Sequence, residues 1–307
     1  MVKTVFVTGG AGFIGKHTIE KLKQEKFNIA VADRKTKPND FDNNIKYYQL
    51  DVTSSELEKV FQENNIDYVI HLAALPSVIE SIKDPQKDCK DNYYATVNVC
   101  TISKKYRVKK IVFSSTAAVY ANPQYLPVDE KHPTDFLSPY AITKNASENF
   151  IKYCGIDYII FRYSNVYGEG QDTQGEAGVV AKFFELMSNN QPVNIHGNGE
   201  QTRDFIYVKD VANANVLALT TDIKNEIINV STNSRTSVNE LFNTIKQTLN
   251  YTLVPVYSTS REGDIEHSVL NNDKFVQLFG YTPNKNLKLG INNMVNNVYL
   301  LTGVRHE

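Results

Sequence analysis

No apolar run in the 307 residues approaches the ~18 that a membrane-spanning helix needs, so no membrane partner is expected. Cysteine is scarce: Cys89, Cys100 and Cys154 stand apart, odd in number and without a Cys-x-x-Cys pair. That pattern supports neither a disulfide framework nor a zinc site, and it fits reduced thiols in a cytoplasm. Charge of neither sign is in excess. Lys and Arg total 33 against 34 Asp and Glu, which leaves no footprint for nucleic acid or anionic lipid. The N-terminus enters an apolar segment without a signal-peptide pattern, again pointing to a cytoplasmic protein. Neither an internal repeat nor a low-complexity tract is found. The length suffices for one large or two ordinary domains.

Against these absences, one stretch is rich in information. Thr4 to Thr8 is an apolar, β-branched run, the composition of a buried strand. Gly9, Gly12 and Gly15 follow at spacing three, and Lys16 to Lys23 then carries Ile19 and Leu22 at helical spacing. Strand, glycine turn and helix in that order form the context of a dinucleotide site. Gly9 permits the tight turn, Gly12 lets the backbone approach a pyrophosphate, and Gly15 lets helix and strand pack closely. The free N–H groups and dipole of the new helix face the phosphates. A second strand, Asn28 to Ala32, ends on Asp33, roughly 20 residues on, where a carboxylate accepts from the ribose 2′-OH. It repels a 2′-phosphate, so NAD is expected over NADP. Arg34 beside it weakens that preference, because an arginine can accept the phosphate.

The first half goes on alternating. Strands are expected at Ile45 to Leu50, Tyr68 to Leu72, Ile111 to Ser115 and Tyr158 to Arg162. Thr53 and Glu56 suggest a capping box for a helix through Phe61. A long helix is expected from Pro85 to about Tyr106, and another from Tyr140 to Tyr153. The fold class is therefore α/β, a Rossmann-type doubly wound parallel sheet with ligands at the strand C-terminal ends. After Asn165 the texture changes. Loops at Gly168 to Gly178 and Gln191 to Arg203 surround shorter elements at 208–219, 226–230, 238–249 and 273–279. The expected division is a nucleotide domain over 1–166 with a return segment at about 204–230. A smaller, interleaved α/β substrate lobe takes 167–203 and 231–307.

Tyr140 and Lys144 lie four apart, on one face of a helix. Tyr106/Lys110 and Tyr281/Lys285 share that spacing, but the first spans a helix end and the second straddles Pro283. Only Tyr140/Lys144 falls within one helix of the nucleotide half, after a strand ending Ser114-Ser115-Thr116. A tyrosine of pKa near 10 is a poor base at neutral pH. A neighbouring ammonium and a cationic nicotinamide favour the phenolate. Tyr140 then takes a proton from a substrate hydroxyl while hydride leaves the same carbon. Thr116 hydrogen-bonds that hydroxyl, and Lys144 can also hold the nicotinamide ribose.

These pieces resemble the extended short-chain dehydrogenase/reductases of the NAD-dependent epimerase/dehydratase family, most closely the UDP-glucose 4-epimerase type. The match covers essentially the whole chain: Thr8 to Gly15, Asp51-Val52, His71 to Ala74, Asn92, Ser114 to Tyr120, Ser138-Pro139-Tyr140 through Lys144, and Arg162 to Gly168. In the second lobe it takes in Gly197-Asn198-Gly199, Arg203-Asp204-Phe205, Tyr207 to Asp210 and Arg261-Glu262-Gly263-Asp264. The resemblance implies that NAD is held by Gly9, Gly12, Phe13, Ile14, Gly15, Asp33, Arg34, Asp51, Val52, Leu72, Ala73, Ala74, Asn92, Ser114, Tyr140 and Lys144. It places Ser77, Thr116, Asn165, Val180, Arg203, Arg261, Asp264 and Ser268 around a UDP-sugar. Two arginines on a pyrophosphate also suit its charge and bidentate geometry.

Dehydratases that resemble this chain carry Asp-Glu after the catalytic Thr, and related decarboxylases a Glu. Here Ala117 and Ala118 cannot transfer protons, which leaves redox-neutral 4-epimerisation of UDP-glucose and UDP-galactose. A nucleotide-sugar 4-ketoreductase, a UDP-glucuronate 4-epimerase and a non-catalytic NAD-binding sensor are the alternatives. The resemblance further implies a homodimer through Pro85 to Tyr106 and Tyr140 to Tyr153, with Tyr93, Tyr94, Val97 and Ile102 supplying an apolar face or packing on their own sheet. It also places Ser268 at the sugar's C2 substituent, where a small residue admits an N-acetyl group.

Overall fold

Strand β1 (Thr4–Thr8), with its β-branched run, lies inside a seven-stranded sheet. The computed structural model describes residues 2–173, 178–260 and 265–302. After β1 come β2 (Asn28–Asp33), β3 (Lys46–Gln49), β4 (Tyr68–His71), β5 (Lys110–Thr116) and β6 (Asp157–Tyr163). Their spatial order is β6-β5-β4-β1-β2-β3, every pair parallel, and Glu226–Val230 adds the edge strand beside β6. The order reverses between β1 and β4. The C-terminal ends of those two strands therefore open a crevice where no crossover helix passes, the place where doubly wound sheets bind ligands.

The helices of this region are α1 (Phe13–Gln24), α2 (Leu57–Glu63), α3 (Val78–Lys83), α4 (Pro85–Asp88), α5 (Ala95–Lys105) and α6 (Pro139–Cys154). On one face of the sheet, alternate strand residues Phe6, Val69, Ile111 and Phe113 pack with Leu57, Phe61, Val99 and Ile151 from α2, α5 and α6. Each such side chain contributes roughly 1.5–3 kcal/mol by leaving water. Ile102 belongs to this core. It is therefore unavailable for the apolar outer face suggested by its spacing with Tyr94, which is half exposed.

Two local expectations are corrected, and one unexpected helix is added. No capping box opens α2. The Asp51 carboxylate accepts from both the backbone N–H and the hydroxyl of Thr53 at 2.8 Å, and Glu56 caps without a side-chain bond. The helical run from Pro85 is interrupted by a π segment, Cys89–Tyr94. At its centre the Thr96 hydroxyl donates to the Asn92 carbonyl at 2.7 Å, a side-chain competitor for the helical ladder. The short helix α3 was not legible in the sequence. It starts where Ser77 Oγ accepts from the Glu80 N–H at 2.9 Å.

The chain forms two compact units. The first takes residues 1–121, 133–163 and 211–228, and the second 122–132, 164–210 and 229–307. In the second unit Asn165–Tyr167 pairs in parallel with Phe205–Tyr207, and Thr202–Arg203 pairs antiparallel with Thr236–Ser237. Its helices include α7 (Val179–Ser188), which lies between the two expected loops.

Candidate active site

The glycine turn is built as its spacing requires. Gly9 has φ +70°, and a Cβ there would come within 2.7 Å of the Ala73 nitrogen, so only glycine lets β1 turn against the segment after β4. A Cβ on Gly15 would strike the Gly9 carbonyl and approach Gly10 Cα to 2.7 Å. At Gly12 a Cβ would meet only the Gly9 oxygen, at 3.1 Å; it would fill the open ground before α1. That helix has no side-chain cap and no acidic residue in its first turn. The N–H groups of its opening residues, with Phe13 and Ile14, thus form a cradle for an anion. A dinucleotide pyrophosphate fits it.

Asp33 ends β2 beside this turn. One carboxylate oxygen accepts from the Ala11 N–H and the other from the Lys35 N–H, both at 2.9 Å. These bonds fix the carboxylate, and each oxygen retains a lone pair for a ribose hydroxyl. Arg34 resolves the ambiguity raised by the sequence. Its guanidinium binds Asp91 at 2.6 and 2.9 Å and Asp51 at 3.0 Å. It is committed to two carboxylates, and with Asp33 the neighbourhood holds three acids against one arginine. A ribose hydroxyl suits that charge balance and a 2′-phosphate does not. Val52 is buried next to Asp51.

The segment after β4 is held from two sides. Thr8 Oγ1 accepts from the N–H groups of Leu72 and Ala73 at 3.2 and 3.1 Å. Asn92 accepts from the Leu75 N–H at 2.7 Å and donates to the Leu75 carbonyl at 3.2 Å. Asn92 is almost wholly buried, so its amide shapes the groove formed by Leu72, Ala73 and Ala74. His71, outside the expected set, anchors the same place. Its ring nitrogens lie 2.7 Å from Thr8 Oγ1 and 3.1 Å from Thr96 Oγ1. Burial, with a smaller push from Lys144, drives its pKa down to about 3, so the imidazole is neutral.

The hydroxyls at the end of β5 divide by strand alternation. Ser115 donates to buried Glu148 on α6 at 2.5 Å, which also binds Arg162 at 2.6 and 2.9 Å. Ser114 and Thr116 lie on the other side. Ser114 favours the ionised form of the Tyr163 phenol, and Thr116 that of Tyr140. Thr116 Oγ1 also accepts from the Ala118 N–H at 3.1 Å, holding Ala117 and Ala118 in a tight 3₁₀ turn.

Ser138 and Pro139 explain where Tyr140 sits. The Ser138 hydroxyl caps α6 and Pro139 occupies the first helical position. Tyr140 therefore stands in the first turn, with Lys144 one turn on. Lys144 is 3 % exposed, its Nζ 4.4 Å from the Phe113 ring centre. Burial pushes its pKa down to about 8, opposed by Glu148 and Asp88. The expectation that Lys144 lowers the Tyr140 phenol is not met. Burial pushes that phenol up to about 12, against the Thr116 hydrogen bond and with help from Asp88.

In the second unit, buried Asp204 is the organising group. It accepts from the Thr232 N–H and hydroxyl at 3.0 and 2.8 Å, and its carbonyl takes the Asn165 N–H at 2.9 Å. Arg203 donates to the Thr202 carbonyl at 2.9 Å. The Ser268 N–H also bonds that carbonyl, at 3.1 Å. Arg203 and Ser268 are thereby brought together, and Asn165 is exposed on its strand. Val180 is 2 % exposed, its side chain inside the packing of α7. Arg261 and Asp264 lie outside the described residues. Among the described residues, no group of three or more His, Cys, Asp or Glu could hold a metal.

The family model of the NAD dependent epimerase/dehydratase family matches residues 5–231. A putative UDP-glucose 4-epimerase of Methanocaldococcus jannaschii is 43% identical over 299 residues, covering 95% of this chain and 97% of the relative. A crystal structure of UDP-glucose 4-epimerase from Thermotoga maritima with UDP-glucose superposes with a TM-score of 0.93 at 37% identity, over 97% of this chain and 99% of the other. A UDP-N-acetylglucosamine 4-epimerase from Methanobrevibacter ruminantium, in complex with UDP-N-acetylmuramic acid, gives 0.92 at 32% identity, over 99% of each chain.

Proposed function

Because the chain belongs to the NAD-dependent epimerase/dehydratase family, we propose that it inverts C4 of UDP-hexoses, interconverting UDP-glucose and UDP-galactose. It is an enzyme of the epimerase type and its cofactor is NAD. When bound, NAD supplies a reversible hydride acceptor and, in its oxidised form, a positive charge. The chain's own residues do the rest. The glycine turn and the start of α1 bind the pyrophosphate, and Asp33 orients the adenosine ribose. Tyr140 takes the proton of the C4 hydroxyl, and Thr116, which favours the ionised form of the same phenol, steadies that hydroxyl. Lys144 keeps a cation one turn away. Asn165, Arg203, Arg261 and Asp264 are assigned to the nucleoside diphosphate, and Ser77, Val180 and Ser268 to the sugar's surroundings.

The observation that carries this reading is Tyr140 in the first turn of α6, its ionised form favoured by Thr116, which is followed directly by Ala117 and Ala118. It provides a proton acceptor at one hydroxyl, while the positions where related dehydratases carry acids and bases hold none. The experiment is to mix purified protein with UDP-galactose and follow UDP-glucose without added reductant. Conversion to an equilibrium mixture supports the proposal. Stoichiometric demand for a reduced nicotinamide would make the protein a ketoreductase, and turnover of UDP-glucuronate alone would move the substrate. A protein that binds NAD and turns over none of these would be a non-catalytic binder.

We infer from the same resemblance a homodimer through Pro85 to Tyr106 and Tyr140 to Tyr153. Tyr94 on the π segment, with Ile142 and Tyr153 on α6, exposes apolar surface along these helices, Tyr153 being 82% exposed. Tyr93, edge-on to Phe150 at 6.3 Å, and partly buried Val97 border it.

A further inference from the structure

A buried carboxylate lies between the cofactor groove and α6. Asp88 is the last residue of α4, at the start of the π segment, and is 0% exposed. Both of its oxygens accept hydrogen bonds: one from the Asn92 amide at 2.7 Å, the other from the Thr143 hydroxyl at 2.6 Å. Burial raises the pKa of this carboxyl, while the Thr143 hydrogen bond, the Lys144 charge and the Asn92 hydrogen bond favour its ionised form. Asn92 is the residue that clamps Leu75 after β4. Thr143 stands between Tyr140 and Lys144 on α6. A buried anion is thus tied at one end to the cofactor groove and at the other to the catalytic helix.

We propose that Asp88 is a positioning residue of this site, a fixed negative charge that keeps Lys144 cationic and sets the charge environment of Tyr140 without touching substrate. This rests on Tyr140 and Lys144 being the catalytic pair. The other groups are accounted for. On α6, Glu148 also favours the Lys144 ammonium, but it is already shared with Ser115 and Arg162. On the helical run of Asp88 itself, Asp91 opposes its ionisation and is held by Arg34. On β4, His71 is neutral. Asp88 favours the protonated forms of both Lys144 and Tyr140. Removing its charge therefore moves both titrations toward acid.

Asp88→Asn is the test, because an asparagine can accept from Asn92 and donate to Thr143 with the same shape. If Tyr140 must lose a proton and Lys144 must keep one, activity is bell-shaped in pH, and both limbs of kcat/KM shift to lower pH by about one unit, as expected for loss of a nearby buried charge. A role confined to packing would lower the curve without moving it. Independently of turnover, the Lys144 Cε resonance in 13C-lysine-labelled protein, assigned with Lys144→Met, should titrate at lower pH in Asp88→Asn than in wild type. Thr143→Val, which removes one hydrogen bond and keeps the charge, should leave the limbs in place. An unmoved Lys144 titration in a folded Asp88→Asn protein overturns the proposal. A moved titration in a protein that does not need Tyr140 overturns the catalytic assignment instead.

Discussion

Arg34 closes on Asp91 with two hydrogen bonds, at 2.9 and 2.6 Å, across 57 residues of sequence. The arginine best placed to accept a 2′-phosphate is thereby already neutralised. Asp33→Ala is expected to weaken NAD about tenfold, the loss of one good hydrogen bond to a charged group, without creating strong NADP binding. Asp33→Ala combined with Asp91→Asn, which loosens Arg34, should bind NADP more tightly than either single variant. Titration of NAD and NADP into stripped apoprotein measures both. NAD affinity untouched by Asp33→Ala would remove the ribose role.

Tyr140→Phe deletes the proton acceptor and leaves the phosphate cradle and Asp33 in place. Turnover should fall by several orders of magnitude with UDP binding nearly unchanged, the signature of an interaction used mainly in the transition state. Single-turnover kinetics and calorimetry of UDP binding separate the two. Near-normal turnover in the variant would contradict the assignment.

His71 makes stability depend on pH. Its folded pKa of about 3 lies below the usual 6.5, so below pH 6.5 the unfolded chain takes up a proton that the native imidazole refuses. The stability it contributes is complete above pH 6.5 and is lost progressively as pH falls toward 3. His71→Gln should be less stable than wild type at pH 7.5 but decline less steeply between pH 6.5 and 5. Urea unfolding at a series of pH values reads the two slopes, and parallel curves would show that His71 is not the titrating group.

Ser268 is expected to leave room for an acetamido group, so UDP-N-acetylglucosamine should be epimerised as well as UDP-glucose. Ser268→Tyr should lose the N-acetylated substrate and keep the plain hexose, with a discrimination of at least tenfold from steric exclusion. Rates of both substrates on both proteins decide it. Equal loss would indicate general damage, and a wild type inert toward the N-acetyl sugar would end the idea.

A dimer through α5 and α6 should appear in multi-angle light scattering at micromolar concentration as twice the chain mass. Placing a charge within the exposed apolar strip, as in Ile142→Glu, should shift the species to monomer with the fold intact by circular dichroism. A monomeric wild type would reject the interface.

Much of the molecule follows from local pattern. The β-branched runs place β1, β2, β4, β5 and β6 within a residue or so, because a buried parallel strand needs little beyond continuous apolar character. Gly9, Gly12 and Gly15 announce the turn, since backbone geometry and close contact tolerate nothing larger there. Ser138-Pro139 announces the start of α6 and thus the place of Tyr140. What the chain pattern could not reveal is which charges meet. Arg34 reads as a phosphate acceptor until the fold brings Asp91 to it, and Lys144 as the group that acidifies Tyr140 until burial acts on both. Ser115 reads as one of three site hydroxyls until strand alternation turns it toward Glu148. Asp88 carried no signal, and His71 none beyond the family pattern, because a buried carboxylate or imidazole is defined by partners 55 residues away at Thr143 or 63 away at Thr8. Sequence by itself determined the elements and the chemistry available to them. Protonation states, partners and the shape of the groove were decided only by tertiary structure, because desolvation and Coulomb interaction depend on distances that local spacing does not contain.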